Sequence, residues 1–455
     1  MPAHPPPFRA LLGLAWPIVL ARSTQAVVGF TDALMVAPLG QDALAAVTTG
    51  SMNSYCIIFL PIGVVFIVQS FAAQLYGRGE LTIARRYGYY GLIFSAGAGL
   101  LALPLILVMP WLLGLLHLQP AVAAHMNDYM AIRLLSIGAA VGVEAIANWY
   151  GGLGNTQVAL RAGVLTMVVN IVLNYLLIEG HLGAPAWGVA GAALASTLSA
   201  YAALIYVVVR FWRDRTGKPS GSLGLSWREL VRMLRFGVPN GINLFIDFAA
   251  FVLFIDVMVA HLGTVPLAAL MVVMNINAVS FMPGFGLASA GAILAGQAIG
   301  EGRRDDVPRL LAMTAGVAVL WQCSVGLLYF VAPRAVVGWF SDPKDLTGEL
   351  VAVGATMLVW SAGSQLFDAT ANAVSETLRS AGDTLFCMWA RVILAWVLFL
   401  PASYVVVIVR GGGPISAILC LIGYSAVLAI VLLLRFRRGA WRKIDLTGVQ
   451  QSLVE

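Results

Sequence analysis

The sequence is poor in charged residues. Only 11% of its 455 residues are Asp, Glu, Lys or Arg, whereas 60% are hydrophobic and the mean hydropathy is +0.89. A soluble domain carries about 25% charged residues. The deficit indicates that most of the surface faces lipid, which predicts an integral membrane protein. The net charge of +6 comes from basic residues in short loops, where they set membrane orientation, so no nucleic-acid partner is expected.

Catalytic and cofactor motifs are also missing. The four cysteines lie in apolar segments without a CxxC pair or a neighbouring His, which disfavours disulfides and zinc sites. No GxxxxGK[ST] loop is present, so ATP is not a direct energy source. The five His are scattered at termini and helix ends. We therefore expect no enzyme activity and no cofactor other than a coupling ion, Na⁺ or H⁺.

Apolar runs long enough to cross a bilayer, about 20 residues each, dominate the chain. The fold class expected is all-α integral membrane, with twelve transmembrane helices. These predicted spans 1 to 12 cover 10–38, 43–75, 84–113, 121–152, 158–178, 188–212, 229–262, 265–299, 306–332, 347–378, 384–409 and 414–437.

Loop charges predict the topology. Arg and Lys concentrate after spans 2, 6, 8 and 12, which places both termini on the cytoplasmic side. Residues 213–228 contain the longest polar interval and separate a six-helix lobe at 1–212 from a second lobe with a short cytoplasmic tail at 229–455. An even helix number gives both lobes the same orientation, so a pseudo-two-fold axis along the membrane normal should relate them. The expected location is the bacterial inner membrane, with the protein a monomer surrounded by lipid.

An internal repeat supports the two lobes. The LG, LAA and Gln-x-x-Gly-x-Gly motifs recur at one separation, since residues 40 and 263, like 74 and 297, are 223 apart. Gly-Asn-Thr at 154–156 is echoed by Gly-Asp-Thr at 382–384. Such duplication is typical of transporters with a central site between two repeats.

Acidic residues inside predicted spans are the first functional candidates, because a charge at helix centre costs about 2.5–3.5 kcal/mol on insertion scales. Asp32 lies in span 1, with Gln25 two turns earlier on the same face. Asn170 and Asn174 lie one turn apart in span 5, and Ser196 and Thr197 follow in span 6. Together these residues predict an oxygen-lined pocket for a proton or a small hard cation such as Na⁺. The alternative is a hydrogen-bonded clamp between helices.

The second half offers a different set of acids. Asp368, Asn372 and Glu376 form one stripe of span 10, which must face a cavity or a polar partner. An Arg379-paired or solvated Glu376 is equally compatible with the pattern. Asp247 and Asp256 lie nine residues apart in span 7, on roughly opposite faces, and Asp247 is the favoured candidate. Further candidates for lining a substrate cavity are Glu144, Met274 and Phe281.

Several motifs, in order and spacing, resemble the multidrug and toxic compound extrusion (MATE) family in its bacterial NorM-like branch. They run through nearly the whole chain: DALMVAPLG at 32–40, the paired Gln-x-x-Gly-x-Gly, GNT at 154–156, NIVLN at 170–174, GAALAS at 191–196, LRSAGDT at 378–384 and GAW at 439–441.

The resemblance implies a V-shaped antiporter that exports organic cations and lipophilic drugs in exchange for Na⁺ or H⁺. Asp32, Asn170 and Asn174 match the family's polar residues of the first and fifth helices, where some members carry Asp at the second Asn. Asp247 stands where Glu is usual, Asp368 matches the acid of the tenth helix, and Ser196 stands where Thr is common.

The primary hypothesis is a cation-coupled multidrug exporter in which Asp32, Asp247 and Asp368 couple ion and drug. The runner-up is a lipid-linked precursor flippase of the same superfamily, which would need Arg133, Arg161 and Arg391 to converge in one cavity. A non-transporting scaffold explains the buried acids poorly. The acids do not follow the repeat, since Ile255 is the counterpart of Asp32. Two unlike sites are therefore expected, an ion pocket in the first lobe and a cation or drug site in the second.

Overall fold

The computed structural model describes residues 7–114, 120–218, 224–340 and 348–448, and the described chain is built from α-helices. In the first half these are α1 (Pro7–Val36), α2 (Gln41–Val65), α3 (Ile67–Gly77), α4 (Leu81–Gly114), α5 (Pro120–Leu134), α6 (Ile137–Gly152), α7 (Gln157–Leu177) and α8 (Gly188–Arg213). The predicted linker at 213–228 lies partly outside the described residues.

The second half repeats this pattern. Its helices are α9 (Trp227–Leu253), α10 (Thr264–Gly300), α11 (Val307–Val331), α12 (Pro333–Gly338), α13 (Glu349–Ser361), α14 (Ser364–Ser380), α15 (Thr384–Val392), α16 (Leu400–Tyr404) and α17 (Pro414–Arg437). Segments of π-helix extend α9 at Phe254–Val259 and flank α16 at Ile393–Phe399 and Val405–Val409.

The predicted spans are confirmed. In the part of the chain that the structure describes, ten helices are long and apolar enough to cross a membrane, and two bent helix pairs bring the number to twelve if each pair is one span. The bent pairs are Val122–Leu134 with Ile137–Gly152, at 44°, and Glu349–Ser361 with Ser364–Ser380, at 48°. They correspond to predicted spans 4 and 10, the same position in each half. A helix satisfies its backbone hydrogen bonds internally, which is why apolar runs of this length adopt it in lipid.

The repeat is visible in the backbone. Gly40 (φ 111°, ψ 171°) and Gly263 (φ 104°, ψ 176°) begin the second helix of each half with nearly the same dihedral angles. Gly154 and Gly382 end the fourth span of each half with φ of 86° and 92°. Residues with a side chain rarely adopt positive φ, so glycine is required at these turns. The duplication therefore extends from sequence to local conformation.

Contacts divide the chain into two compact units. The first unit comprises Leu20–Gly241, and the second comprises the chain up to Val19 together with Ile242 onward. The division falls inside α1 and α9, because Leu11 and Ala15 of α1 pack with Leu287, Ala290 and Ala318 of the second unit.

Close packing of α7 against α8 shapes the first unit. The two helices join through a tight turn in which Trp187 and Gly188 donate backbone hydrogen bonds to Leu177 and Ile178, at 2.9 and 3.1 Å. Gly191 then lies so close to α7 that a Cβ atom there would be 2.3 Å from the Leu177 carbonyl oxygen. The absent side chain allows the helix backbones to approach. This approach brings polar residues of α7 and α8 within hydrogen-bonding distance.

Candidate functional site: two polar clusters in the membrane helices

Asp32 is surrounded by polar side chains from α7 and α8. It is only 7% exposed, and Asn170 and Asn174 are fully buried. Asn174 Nδ2 donates to Asp32 Oδ1 at 2.5 Å, and Ser196 Oγ donates to Asp32 Oδ2 at 3.0 Å. Asn170 Nδ2 donates to Ser196 Oγ at 3.1 Å and Asn170 Oδ1 accepts from Asn174 at 3.2 Å. We call these four residues the amide site.

The amide site follows from helix geometry. Asn170 and Asn174 are one turn apart and so share a face of α7. Ser196 meets that face because Gly191, five residues earlier, lets α8 approach α7. The guanidinium of Arg133 in α5 lies within electrostatic range of Asp32. The structure thus brings together four of the residues predicted for the first-lobe pocket.

Two other predicted residues lie apart from this site. Thr197 Oγ1 donates to the backbone carbonyl of Ile132 at 3.0 Å, because adjacent helical residues point about 100° apart. Gln25, placed on the same face of span 1 as Asp32 by its spacing, is exposed.

Glu144 forms an ion pair. Arg22 Nη1 and Nη2 donate to its two carboxylate oxygens at 2.9 and 3.2 Å, and both side chains are mostly buried. Asn148 Nδ2 donates to the Glu144 backbone carbonyl at 2.8 Å. A bidentate pair of this kind holds the first span to the fourth within the first unit.

In the second unit, Asp247 of α9 binds two side chains. Arg391 Nη1 of α15 donates to Oδ2 at 2.7 Å, and Tyr424 OH of α17 donates to Oδ1, also at 2.7 Å. Asp368 of α14 lies within electrostatic range of Asp247 and Arg391, and interacts with the hydroxyls of Ser364 and Ser425. We call Asp247, Asp368, Arg391 and Tyr424 the arginine site. It unites the two acids that sequence spacing favoured.

The remaining acidic candidates have local explanations. Glu376 pairs with Arg379 one turn later. The sequence left open either this pairing or a role for Glu376 in a polar stripe that faces a cavity, and the structure shows the pairing. Asn372, between Asp368 and Glu376 on α14, is partly buried. Asp256 is exposed, on the π-helical extension of α9.

Met274 and Phe281, the apolar candidates for lining a substrate cavity, belong to neither polar cluster. Met274 packs against the apolar core formed by α10, α13 and α17. Phe281 is 40% exposed, and its ring centroid lies 6.1 Å from that of Phe285.

Residues that sequence reasoning missed are partners of the predicted ones. Arg22 and Tyr424 were not among the predicted residues, and Arg391 was named only as one of three arginines that a flippase would need. A lone Arg inside an apolar span was the available signal for Arg22. A further buried network links Ser280 Oγ to Gln365 Oε1 at 2.8 Å and Gln365 Nε2 to Asn277 Oδ1 at 3.2 Å. It joins α10 to α14.

Asp214, just after α8, illustrates the electrostatics outside the membrane spans. Burial raises the pKa of this carboxyl, but hydrogen bonds from Thr216 and Tyr150 and the charge of Arg85 outweigh it and hold the pKa below its usual value. The Thr216 amide and Tyr150 hydroxyl are each 2.9 Å from a carboxylate oxygen. Asp214 therefore stays ionised and anchors the end of α8.

The chemistry available at the two clusters is the binding and release of a proton or a cation. Within the described residues no group of three or more His, Cys, Asp or Glu is arranged to hold a metal ion. Each cluster instead has carboxylates held by neutral donors or a guanidinium. Such groups bind and release a proton or a cation when their surroundings change.

Comparisons with known proteins agree with this fold. The family model described as MatE matches residues 17–176 and 245–405, which together exceed two thirds of the chain and repeat one module in each half. A probable multidrug resistance protein NorM from Agrobacterium fabrum is 27% identical over 421 residues, covering 87% of this chain and 88% of that protein. Its counterpart from Chromobacterium violaceum is 28% identical and covers 86% and 84%.

A solved structure is similar over nearly the full length. A MOP superfamily transporter from Pyrococcus furiosus superposes with a TM-score of 0.87 at 20% identity, covering 96% of this chain and 97% of that one. This likeness supports the fold, and the family model supports the membership. The chain therefore belongs to the MatE family.

Proposed function

We propose that this protein is a proton-coupled antiporter that exports organic cations and lipophilic drugs across the bacterial inner membrane as a monomer, with both termini cytoplasmic. The names of its relatives as multidrug resistance proteins support the transport of drugs. The single observation that carries the proposal is the buried carboxylate of Asp32, held by neutral donors inside a membrane helix.

A buried carboxylate in this setting has two states, ionised and protonated. When ionised, it accepts hydrogen bonds from Asn174 and Ser196 and lies near the positive charge of Arg133. When protonated, it no longer carries a charge that burial penalises. Proton binding therefore changes the hydrogen bonds that link α1 to α7 and α8. Movement of α1 with that change is the proposed coupling step.

The donor set favours a proton over Na⁺. Na⁺ requires several oxygen ligands directed at one point, as hard cations do. Both oxygens of Asp32 instead accept from an N–H or O–H group, and the nearby guanidinium opposes a second cation. Among the described residues the site holds one carboxylate. Coupling to Na⁺ is the outcome that the experiment below distinguishes.

Drug binding is assigned to the second unit. The carboxylates of Asp247 and Asp368 supply negative charge for an organic cation. Outward release requires that proton and drug favour different conformations, because a ligand with equal affinity for two states shifts neither.

The flippase alternative receives no support from the arginines on which it depended. Arg391 binds Asp247, Arg161 donates to Gln157 on its own helix, and Arg133 donates to Ser136. Each guanidinium has a partner within its own unit. An exporter of cations is consistent with the excess of intramembrane acids.

The test is efflux from proteoliposomes in which a pH gradient or a Na⁺ gradient is imposed separately. We expect the pH gradient alone to drive efflux of tetraphenylphosphonium, and Asp32→Asn to abolish it, since asparagine keeps the shape but cannot be protonated. Asp128→Asn, an exposed acid on α5 of the same unit, is the matched control and should transport normally.

Two results would contradict the proposal. Efflux driven only by Na⁺ would show that the amide site binds a metal cation, and the donor-set argument would be wrong. Wild-type efflux by Asp32→Asn under a pH gradient would remove Asp32 from coupling altogether.

A further inference from the structure

Arg391 forms an ion pair with Asp247, one of the two carboxylates of the proposed drug site. Its Nη1 lies 2.7 Å from Asp247 Oδ2, and its side chain is 13% exposed while that of Asp247 is 33% exposed. Tyr424 OH donates a hydrogen bond to the other carboxylate oxygen of Asp247, at 2.7 Å. Asp247 therefore has a partner on each oxygen before any substrate arrives.

Ion pairs among the described residues take two geometries. Arg22 contacts both oxygens of Glu144, and Arg435 contacts both oxygens of Asp383, at 2.7 and 3.2 Å. Arg391 contacts only one oxygen of Asp247. Arg86 likewise contacts only one oxygen of Glu229, at 3.1 Å, while Tyr90 OH donates to the other at 2.7 Å. What sets the Arg391 pair apart is the second carboxylate near it, that of Asp368.

The charges of the arginine site leave one negative charge unmatched. Two carboxylates, Asp247 and Asp368, face one guanidinium, Arg391. The other groups around them, Tyr424, Ser364 and Ser425, are uncharged hydroxyls. A site with one net negative charge is balanced by one monovalent cation, whereas a dication would leave an excess positive charge in a medium of low dielectric constant.

We propose that Arg391 is a built-in cation that sets the charge class of the substrate: by neutralising Asp247 it leaves Asp368 as the exchangeable charge, so that the second unit selects organic cations of charge +1 over those of charge +2. This assignment rests on the proposed function, since it concerns the selectivity of the same drug site. It makes Arg391 a specificity-determining residue.

The test compares binding of tetraphenylphosphonium, charge +1, and methyl viologen, charge +2, to the full-length purified protein. Wild type should prefer the monovalent cation. Arg391→Gln leaves two carboxylates without a guanidinium and should improve methyl viologen binding relative to tetraphenylphosphonium by about tenfold or more. Asp247→Asn with Arg391 intact cancels the charge of the site and should weaken both ligands.

The double variant Asp247→Asn/Arg391→Gln is the decisive measurement. It restores one net negative charge and should return the binding ratio to the wild-type value, a rescue that a merely structural role does not predict. Arg435→Gln, which breaks a comparable pair with Asp383 in the same unit, is the control and should leave the ratio unchanged.

Each outcome of these binding measurements either supports or overturns the charge assignment of Arg391. An unchanged binding ratio in folded Arg391→Gln, or an altered ratio in the folded double variant, overturns the charge assignment. If Arg391→Gln does not fold because Asp247 is left unpaired, Asp247→Asn decides: weaker binding of both cations supports the assignment, and unchanged binding overturns it. If tetraphenylphosphonium binds neither wild type nor any variant, the proposed function itself fails and the assignment falls with it.

Discussion

Replacing Gly191 with alanine should separate α7 from α8 and disrupt the amide site. The new Cβ would lie 2.3 Å from the Leu177 carbonyl oxygen and 2.7 Å from its carbon, where ordinary contacts begin at 3.4 Å. Both clashing atoms belong to backbone, which cannot rotate away as a side chain can. The helices must therefore move apart by about 1 Å. A hydrogen bond of 3.1 Å between Asn170 and Ser196 would then exceed the usual limit.

The expected cost is about 1–3 kcal/mol, the typical range for overpacking. This exceeds the gain of up to about 1 kcal/mol that alanine brings to a helix interior relative to glycine. We expect the unfolding midpoint to fall by about 2–4 °C for each kcal/mol, and gradient-driven efflux to fall with it, because Ser196 moves away from Asp32.

The control is Gly97→Ala on α4 of the same unit, where a Cβ atom meets nothing within 4 Å. That variant should be as stable as wild type or slightly more so. Intrinsic fluorescence during heating measures the midpoint, and proteoliposome efflux measures coupling. If Gly191→Ala matches Gly97→Ala in both assays, the close approach of α7 and α8 does not determine the amide site.

Three further predictions follow from single contacts. Ser196→Ala should lower proton-driven efflux while Thr197→Ala does not, because only Ser196 donates to the site; equal effects in the same proteoliposome assay would refute the assignment. Arg22→Met and Glu144→Gln should each lower the free energy of unfolding by about 1–3 kcal/mol, as measured by thermal unfolding. The double variant should lower it by less than the sum of the two, because both single variants break the same ion pair. Additive losses would mean that the pair is not formed. Asp214→Asn should lower the unfolding midpoint at pH 7. Because the folded-state pKa of Asp214 is lowered, its stabilisation is present above the unfolded-state pKa of about 3.9 and is lost as the pH falls through the folded-state pKa. The difference in midpoint between Asp214→Asn and wild type should therefore vanish in acid. A difference that persists in acid would contradict this prediction.

The membrane spans were predictable because their signal is local. A run of apolar residues needs only its own length to satisfy backbone hydrogen bonds as a helix in lipid. The bends at predicted spans 4 and 10 carried no comparable signal, since neither break contains a proline.

The amide site was predictable in part. Burial cost pointed to Asp32, and the one-turn spacing placed Asn170 and Asn174 on one face. The sequence did not predict that Ser196 rather than Thr197 contacts Asp32. The two residues are adjacent, and only the orientation of α8 decides which of their side chains points toward α7. Packing at Gly191 decided which hydroxyl meets α7.

The membrane class, the apolar spans and the duplication can be read from the sequence, because each depends on residues close together in the chain or on a repeated motif. The partners of the buried charges depend on tertiary packing. Asp247 meets Arg391 and Tyr424 across 144 and 177 residues, and Arg22 meets Glu144 across 122. No local pattern encodes which helices become neighbours, so charge pairing, and with it the proposed substrate selectivity, emerges only when the helices pack.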